Sequence, residues 1–211
     1  MSPSKTGPFT TVASQIAAKS GVGGVLLVAL LVFAPVSDCA ADGLNGSFLV
    51  ASQKLTDARF RESVILVLQH GPTGSVGLII NKPLAITLDH AFISLPAGVD
   101  GTQPLYYGGP VNPNLVWVLY SGGDNAGIDS LEIVPGVFVA DAVQFAAAVK
   151  NATDVKPIRF LSGYAGWAPG QLEKELQRGD WKINPARSTD IFDGSPESLW
   201  DYLGGQGRIV I

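Results

Sequence analysis

Two short apolar runs, Ser63-Val-Ile-Leu-Val-Leu68 and Val76-Gly-Leu-Ile-Ile80, most constrain what this chain can fold into. Neither alternates apolar with polar, as a strand with one wet face would, so each predicts a strand covered on both faces. Gly71-Pro72-Thr73-Gly74 lies between them, and an antiparallel hairpin is the economical connection. Further strands are predicted at Ser47 to Ala51, Leu105 to Tyr107, Val116 to Tyr120 and Ile158 to Ser162. Another is predicted from Leu131 to Val139, broken by Pro135-Gly136. Helices are fewer. Asp141 caps a segment to Val149 whose Ala142, Phe145, Ala146 and Val149 share a face. A second helix is expected from Pro169 to Gln177, and a third from Ser195-Pro196 to Gly204, burying Leu199, Trp200 and Leu203. Thr87 to Phe92 supplies a short fourth. Hairpins with three or four helices at irregular intervals argue an α+β domain with a mixed, mostly antiparallel sheet.

Composition narrows the class. Apolar residues make up 46% of the 211 and charged residues 15%, which excludes disorder for most of the chain. The net charge is −4 and no run of four basic residues occurs, so direct nucleic-acid binding, which draws affinity from Lys and Arg, is disfavoured. Residues 1–41 read as a signal peptide: Lys5 and Lys19, then an apolar stretch from Gly21 to Ala34 ended by Pro35, then Cys39-Ala40-Ala41 before Asp42. A spanning helix needs about 20 apolar residues, so the stretch is short for one. An uncleaved anchor at residues 21–34 is the alternative, and it is the only membrane contact foreseen. Cleavage leaves residues 42–211 as a single exported domain without cysteine, hence without disulfide or thiol chemistry.

The candidate chemistry is thin. Asp57, Ser63 and His70 hold the residue types of a nucleophilic triad, but Ser63 and His70 lie seven apart on one predicted strand. That puts them on opposite faces and about 23 Å apart. Asp89-His90 with Ser94 places a base and a hydroxyl at helical spacing, yet the adjacent Asp89 points elsewhere. Two histidines twenty positions apart give no metal pattern, and Asp124, Asp129 and Glu132 form only a loose acidic group. The stretch from Ser162 to Gly170 is a glycine-rich turn into a helix, which can cradle an anion. Glu173 and Glu175 repel one there, so Tyr164 and Trp167 are read as core. No catalytic residue, metal or cofactor is predicted.

Taken in order, several blocks resemble the YqgE/AlgH family: Gly46-Ser-Phe-Leu-Val-Ala51, Phe60-x-x-Ser63-Val64, His70 with Gly74-x-x-Gly77, Asn81-Lys82-Pro83 and Gly108-Gly109-Pro110. Gly163-Tyr-Ala-Gly-Trp167-x-Pro-Gly-Gln171-Leu-Glu173 and Gly179-x-Trp181 complete the set. The resemblance covers nearly all of Leu44 to Ile211. It implies an α+β fold with a partly barrel-like sheet flanked by helices, and no catalytic residues or cofactor. Some members are labelled transcriptional regulators. Members usually lack a leader, so this chain looks like an exported variant. Where the family tends to carry a His after Gly-Gly-Pro, this chain has Tyr120. The function expected is therefore a non-catalytic binding or regulatory module with a protein or small-molecule partner. The alternatives are a small-ligand binder or enzyme with a pocket at His70 and the Gly108–Pro110 turn, and a transcriptional regulator. The candidate ligand-binding residues are His70, Asn81, Lys82, Gly108, Gly109 and Pro110, all at predicted strand ends where loops cluster.

Overall fold

A computed structural model describes residues 43–122, 128–149 and 155–204. The leader, Cys39, the anchor alternative and Asp124 lie outside the described residues. In chain order the first half carries β1 (Ser47–Ala51), β2 (Val64–Gly71), β3 (Gly74–Ile79), β4 (Pro83–Thr87), α1 (Leu88–Ala91), β5 (Pro104–Tyr107) and β6 (Val111–Ser121). The second half carries β7 (Leu131–Val134), β8 (Val137–Asp141), α2 (Ala142–Ala148), β9 (Ile158–Trp167), α3 (Gln171–Arg178), β10 (Trp181–Pro185), α4 (Ser188–Phe192) and α5 (Pro196–Tyr202).

The ten strands form one open sheet in the order β10-β1-β2-β3-β9-β6-β8-β7, with β5 joining β9 and β4 joining β5. Every pairing is antiparallel except β5 with β9. The α+β, mostly antiparallel reading holds. The sheet curls without closing: a Cβ on Gly46, at the entry to β1, would stand 2.4 Å from the Ile133 carbonyl oxygen of β7, yet no ladder joins the two strands.

The apolar runs are covered on both faces, as their lack of alternation requires. Phe48, Val50, Val64, Leu66, Leu78, Trp117, Leu119 and Leu161 form one cluster with Trp200 of α5. Their alternates Leu49, Ile65, Val67 and Ile79 pack on the opposite face under Leu172 of α3. Behind β6 and β9, Val118, Tyr120 and Phe160 pack against Phe145 of α2.

Two local expectations change. The strand foreseen to stop at Ser162 runs on to Trp167, because its first half pairs with β6 and β5 and its second half with β3. Gly163 sits at the switch with φ +72°, where only glycine is unstrained, so the supposed turn is a strand that changes partners. The helix at Thr87 to Phe92 ends at Ala91, so Ser94 is not on it and the His90–Ser94 spacing is not realised. The α-helices number five among the described residues, one more than the upper number foreseen; the addition is the short α4, and a single 3-10 turn at Ala58–Phe60 precedes β2.

Candidate functional site

The end of β3 and the turn before β2 come together around Asn81. Its side chain is buried (3% exposed): Oδ1 accepts from Val64 N at 2.8 Å, and Nδ2 donates to the Glu62 carbonyl at 2.9 Å. Glu62 is thereby held at φ +54°, left-handed backbone that costs an ordinary residue about 1–2 kcal/mol. A residue kept in that conformation by a dedicated buried partner is a reason to look for function nearby.

Glu62 and Lys82 line an open cavity of about 530 Å³ together with Glu197, Trp200 and Asp201 of α5. Tyr107 N donates to the Lys82 carbonyl at 2.8 Å and fixes that backbone, leaving the side chain to project. Burial pushes the Lys82 amine below the usual lysine range, and Glu62 pulls it partly back. The amine makes no hydrogen bond or ion pair with a described residue. Trp200 Nε1 donates to the Ala51 carbonyl at 2.7 Å, so its polar atom is spent and the indole serves as floor. A second cavity of about 560 Å³, with Leu55 and Arg61, adjoins across the shared residues Glu62 and Trp200.

Arg159 lies nearby. It is buried (7% exposed), donates to the Ile80 carbonyl at 2.9 Å, and places its guanidinium 4.4 Å from the Tyr106 ring centroid. No carboxylate pairs with it among the described residues. Burial depresses its pKa, while Tyr106 and Glu197 oppose the shift.

The six residues singled out from sequence separate. Asn81 and Lys82 meet at the cavity, Asn81 as its scaffold. Gly108 and Gly109 instead let two backbones cross: a Cβ on Gly109 would lie 2.2 Å from the Tyr164 carbonyl carbon, and Gly108 N donates to the Ser162 carbonyl at 2.7 Å. Pro110 follows that crossing at the entry to β6. His70 is elsewhere, at the end of β2 under α3.

There His70 Nδ1 shares a 2.7 Å hydrogen bond with Ser75 Oγ, and its Nε2 is 3.8 Å from Glu173 Oε1. Asp57 and Ser63, set aside as triad partners of His70 on their spacing, are engaged elsewhere: Asp57 pairs with Arg59, and Ser63 Oγ donates to the Phe60 carbonyl at 2.8 Å. Ser75 was missed. The Gly71–Gly74 turn carries the signal, since that hairpin sets His70 opposite Ser75. Hydroxyl and imidazole thus bond, with a carboxylate at longer range, but Ser75 is 2% exposed, and neither Ser75 nor His70 lines any of the four cavities described in this section. Besides the two already given, these are one beside Arg187 and Asp190, of about 390 Å³, and one at Gly46 and Ile133, of about 240 Å³.

Glu62, Glu197 and Trp200 escaped sequence reasoning because they come together only through the fold. The expectation that Asp89 points away from His90 is wrong: Asp89 Oδ1 lies 2.9 Å from His90 Nδ1 on the exposed surface, because the short helix brings both to its rim, while Ser94 lies beyond that helix. Glu132 Oε1 accepts from Gly136 N. Among the described residues no three His, Cys, Asp or Glu side chains gather as metal ligands, and no helix is long and apolar enough to cross a membrane. Tyr120 is buried and bonds Ser130 Oγ through its hydroxyl at 2.8 Å.

A family model described as AlgH-like matches residues 48–206. A UPF0301 protein of Chlorobium luteolum is 37% identical over 173 residues, covering 78% of this chain and 88% of the relative. One of Chlamydia trachomatis is 36% identical over 166 residues, covering 77% and 87%. The solution structure of the AlgH protein from Pseudomonas aeruginosa superposes with a TM-score of 0.64 at 28% identity, over 82% of this chain and 93% of that one. A crystal structure of a Corynebacterium diphtheriae protein gives 0.66 at 24% identity, over 79% and 88%, a likeness of fold alone.

Proposed function

The chain belongs to the AlgH-like family, and since that membership fixes a fold but no chemistry, we propose from the geometry that the domain is a non-catalytic binding module for a small molecule. Its site is the cleft between the Glu62–Lys82 wall and α5. One observation carries this reading: a half-buried, unpaired amine on Lys82 faces a cavity whose rim is held in strained backbone by the buried Asn81. Burying a charge without a partner costs stability, and a ligand that supplies the partner recovers it. The volume suits a small ligand, for which sites span about 300–1,000 Å³.

A thermal-shift screen of metabolites on the purified domain tests the reading. A ligand at 100 times its Kd adds about 2.7 kcal/mol of stability. Shifts that vanish in Lys82→Met support the cleft. Shifts that all survive that change, or a turnover that Ser75→Ala abolishes, refute it. Export of the domain is part of the proposal and rests on the composition of residues 1–41; the intact mass of protein from fractionated cells, expected to begin at Asp42, tests it.

A further inference from the structure

Charges of both signs line the cleft and are kept apart. Lys82 and Glu62 share the cavity, and Lys82 also shares it with Glu197 and Asp201, yet no ion pair joins Lys82 to any of the three. Glu62 touches Lys82 only through longer-range attraction. A ligand of one sign meets a penalty on either side. A simple carboxylate satisfies Lys82 but faces the acids, and a simple amine satisfies the acids but faces Lys82 with the buried charge of Arg159 close by.

We infer that the cleft takes a small zwitterion carrying one carboxylate and one ammonium, as a free α-amino acid or a short peptide does; this rests on the cleft being a binding site. The carboxylate goes to Lys82, whose amine lines the cavity without an ion pair. The ammonium goes to Glu62, with Glu197 on the same lining. Trp200 offers an apolar floor to the side chain between them. The adjoining cavity beyond Glu62 and Trp200, with Leu55 on its wall, gives a second residue room and makes a dipeptide compatible.

The test titrates the full chain with each of the twenty common L-amino acids and with dileucine, following amide and side-chain resonances. For whichever binds, two derivatives follow: the N-acetyl form, which keeps only the carboxylate, and the C-terminal amide, which keeps only the ammonium. The expected result is saturable shifts at Glu62, Lys82 and Trp200, with each single-charge derivative at least tenfold weaker. Lys82→Met removes the advantage over the amide, and Glu62→Gln removes the advantage over the N-acetyl form. The tighter of free amino acid and dipeptide identifies the source. No saturable binding by any of these, or derivatives that bind within tenfold of the parent, overturns the inference. If the derivatives shift the same three residues equally well, the binding module stands and only the zwitterion falls. If shifts gather elsewhere, both fall.

Discussion

His70 Nδ1 and Ser75 Oγ lie 2.7 Å apart across the β2–β3 hairpin, sealed between the sheet and α3. Distance alone suggests a nucleophile and its base. Access decides otherwise, because an attacking hydroxyl must touch its substrate and Ser75 is 2% exposed. The carboxylate of Glu173, 3.8 Å from Nε2, lies beyond hydrogen-bond reach of the imidazole. The pair is a polar tie in an otherwise apolar layer. Ser75→Ala strands a buried ring nitrogen and is expected to cost about 1–3 kcal/mol in denaturant unfolding while ligand affinity stays unchanged. A tenfold loss of affinity in that variant contradicts the assignment.

A second tie docks α3. Glu175 Oε2 accepts from the indole nitrogens of Trp167 and Trp181, each at 2.8 Å. Glu175→Ala leaves two donors without their acceptor and is expected to cost about 1–3 kcal/mol for each that stays buried, with a shift in tryptophan emission. Glu175→Gln keeps an acceptor oxygen and falls between wild type and Ala. Equal stability of Ala and wild type refutes the tie.

The Glu62 turn trades stability for shape. Glu62→Gly relieves the φ +54° backbone and is expected to stabilise the domain by about 1 kcal/mol while weakening ligand binding. Asn81→Ala removes both bonds that hold the turn and strands Val64 N, for a loss of about 1–3 kcal/mol. If Glu62→Gly destabilises, the strain argument fails.

Lys82 gives a pH signature. Its folded pKa is depressed, so between that value and the unfolded lysine value of about 10.4 the unfolded chain holds more protons, and stability rises with pH. At neutral pH the charged amine costs stability. Lys82→Met is therefore expected to melt higher than wild type near pH 7, with the gap closing as pH approaches 10. A gap that widens with pH contradicts the shift.

Much of the fold is legible in the residues. The unalternating runs announce two-faced burial, Pro135-Gly136 splits β7 from β8, and Asp141 caps α2 through bonds to Val143 N and Gln144 N. The continuation of β9 past Gly163 is not legible, because a strand that changes partners depends on β3, β5 and β6 being in place. The strands β4 and β10 were missed for a related reason: each is short, carries proline, and has an exposed face. At the site, Asn81 and Lys82 were found by motif. Their partners Glu62 and Trp200 are 138 positions apart in sequence and meet only when α5 packs on the sheet.

Three of the four tryptophans stand at the rival sites, and Trp117 lies in the core. Trp200 floors the proposed cleft, while Trp167 pairs with Ser75 across strands and Trp181 stands beside it under α3. The most direct measurement is the set of indole N–H resonances with and without a ligand found by thermal shift. Binding in the cleft moves the Trp200 signal and leaves Trp167 and Trp181 in place. Movement of Trp167 and Trp181 with Trp200 unchanged places the ligand at His70 and contradicts the account.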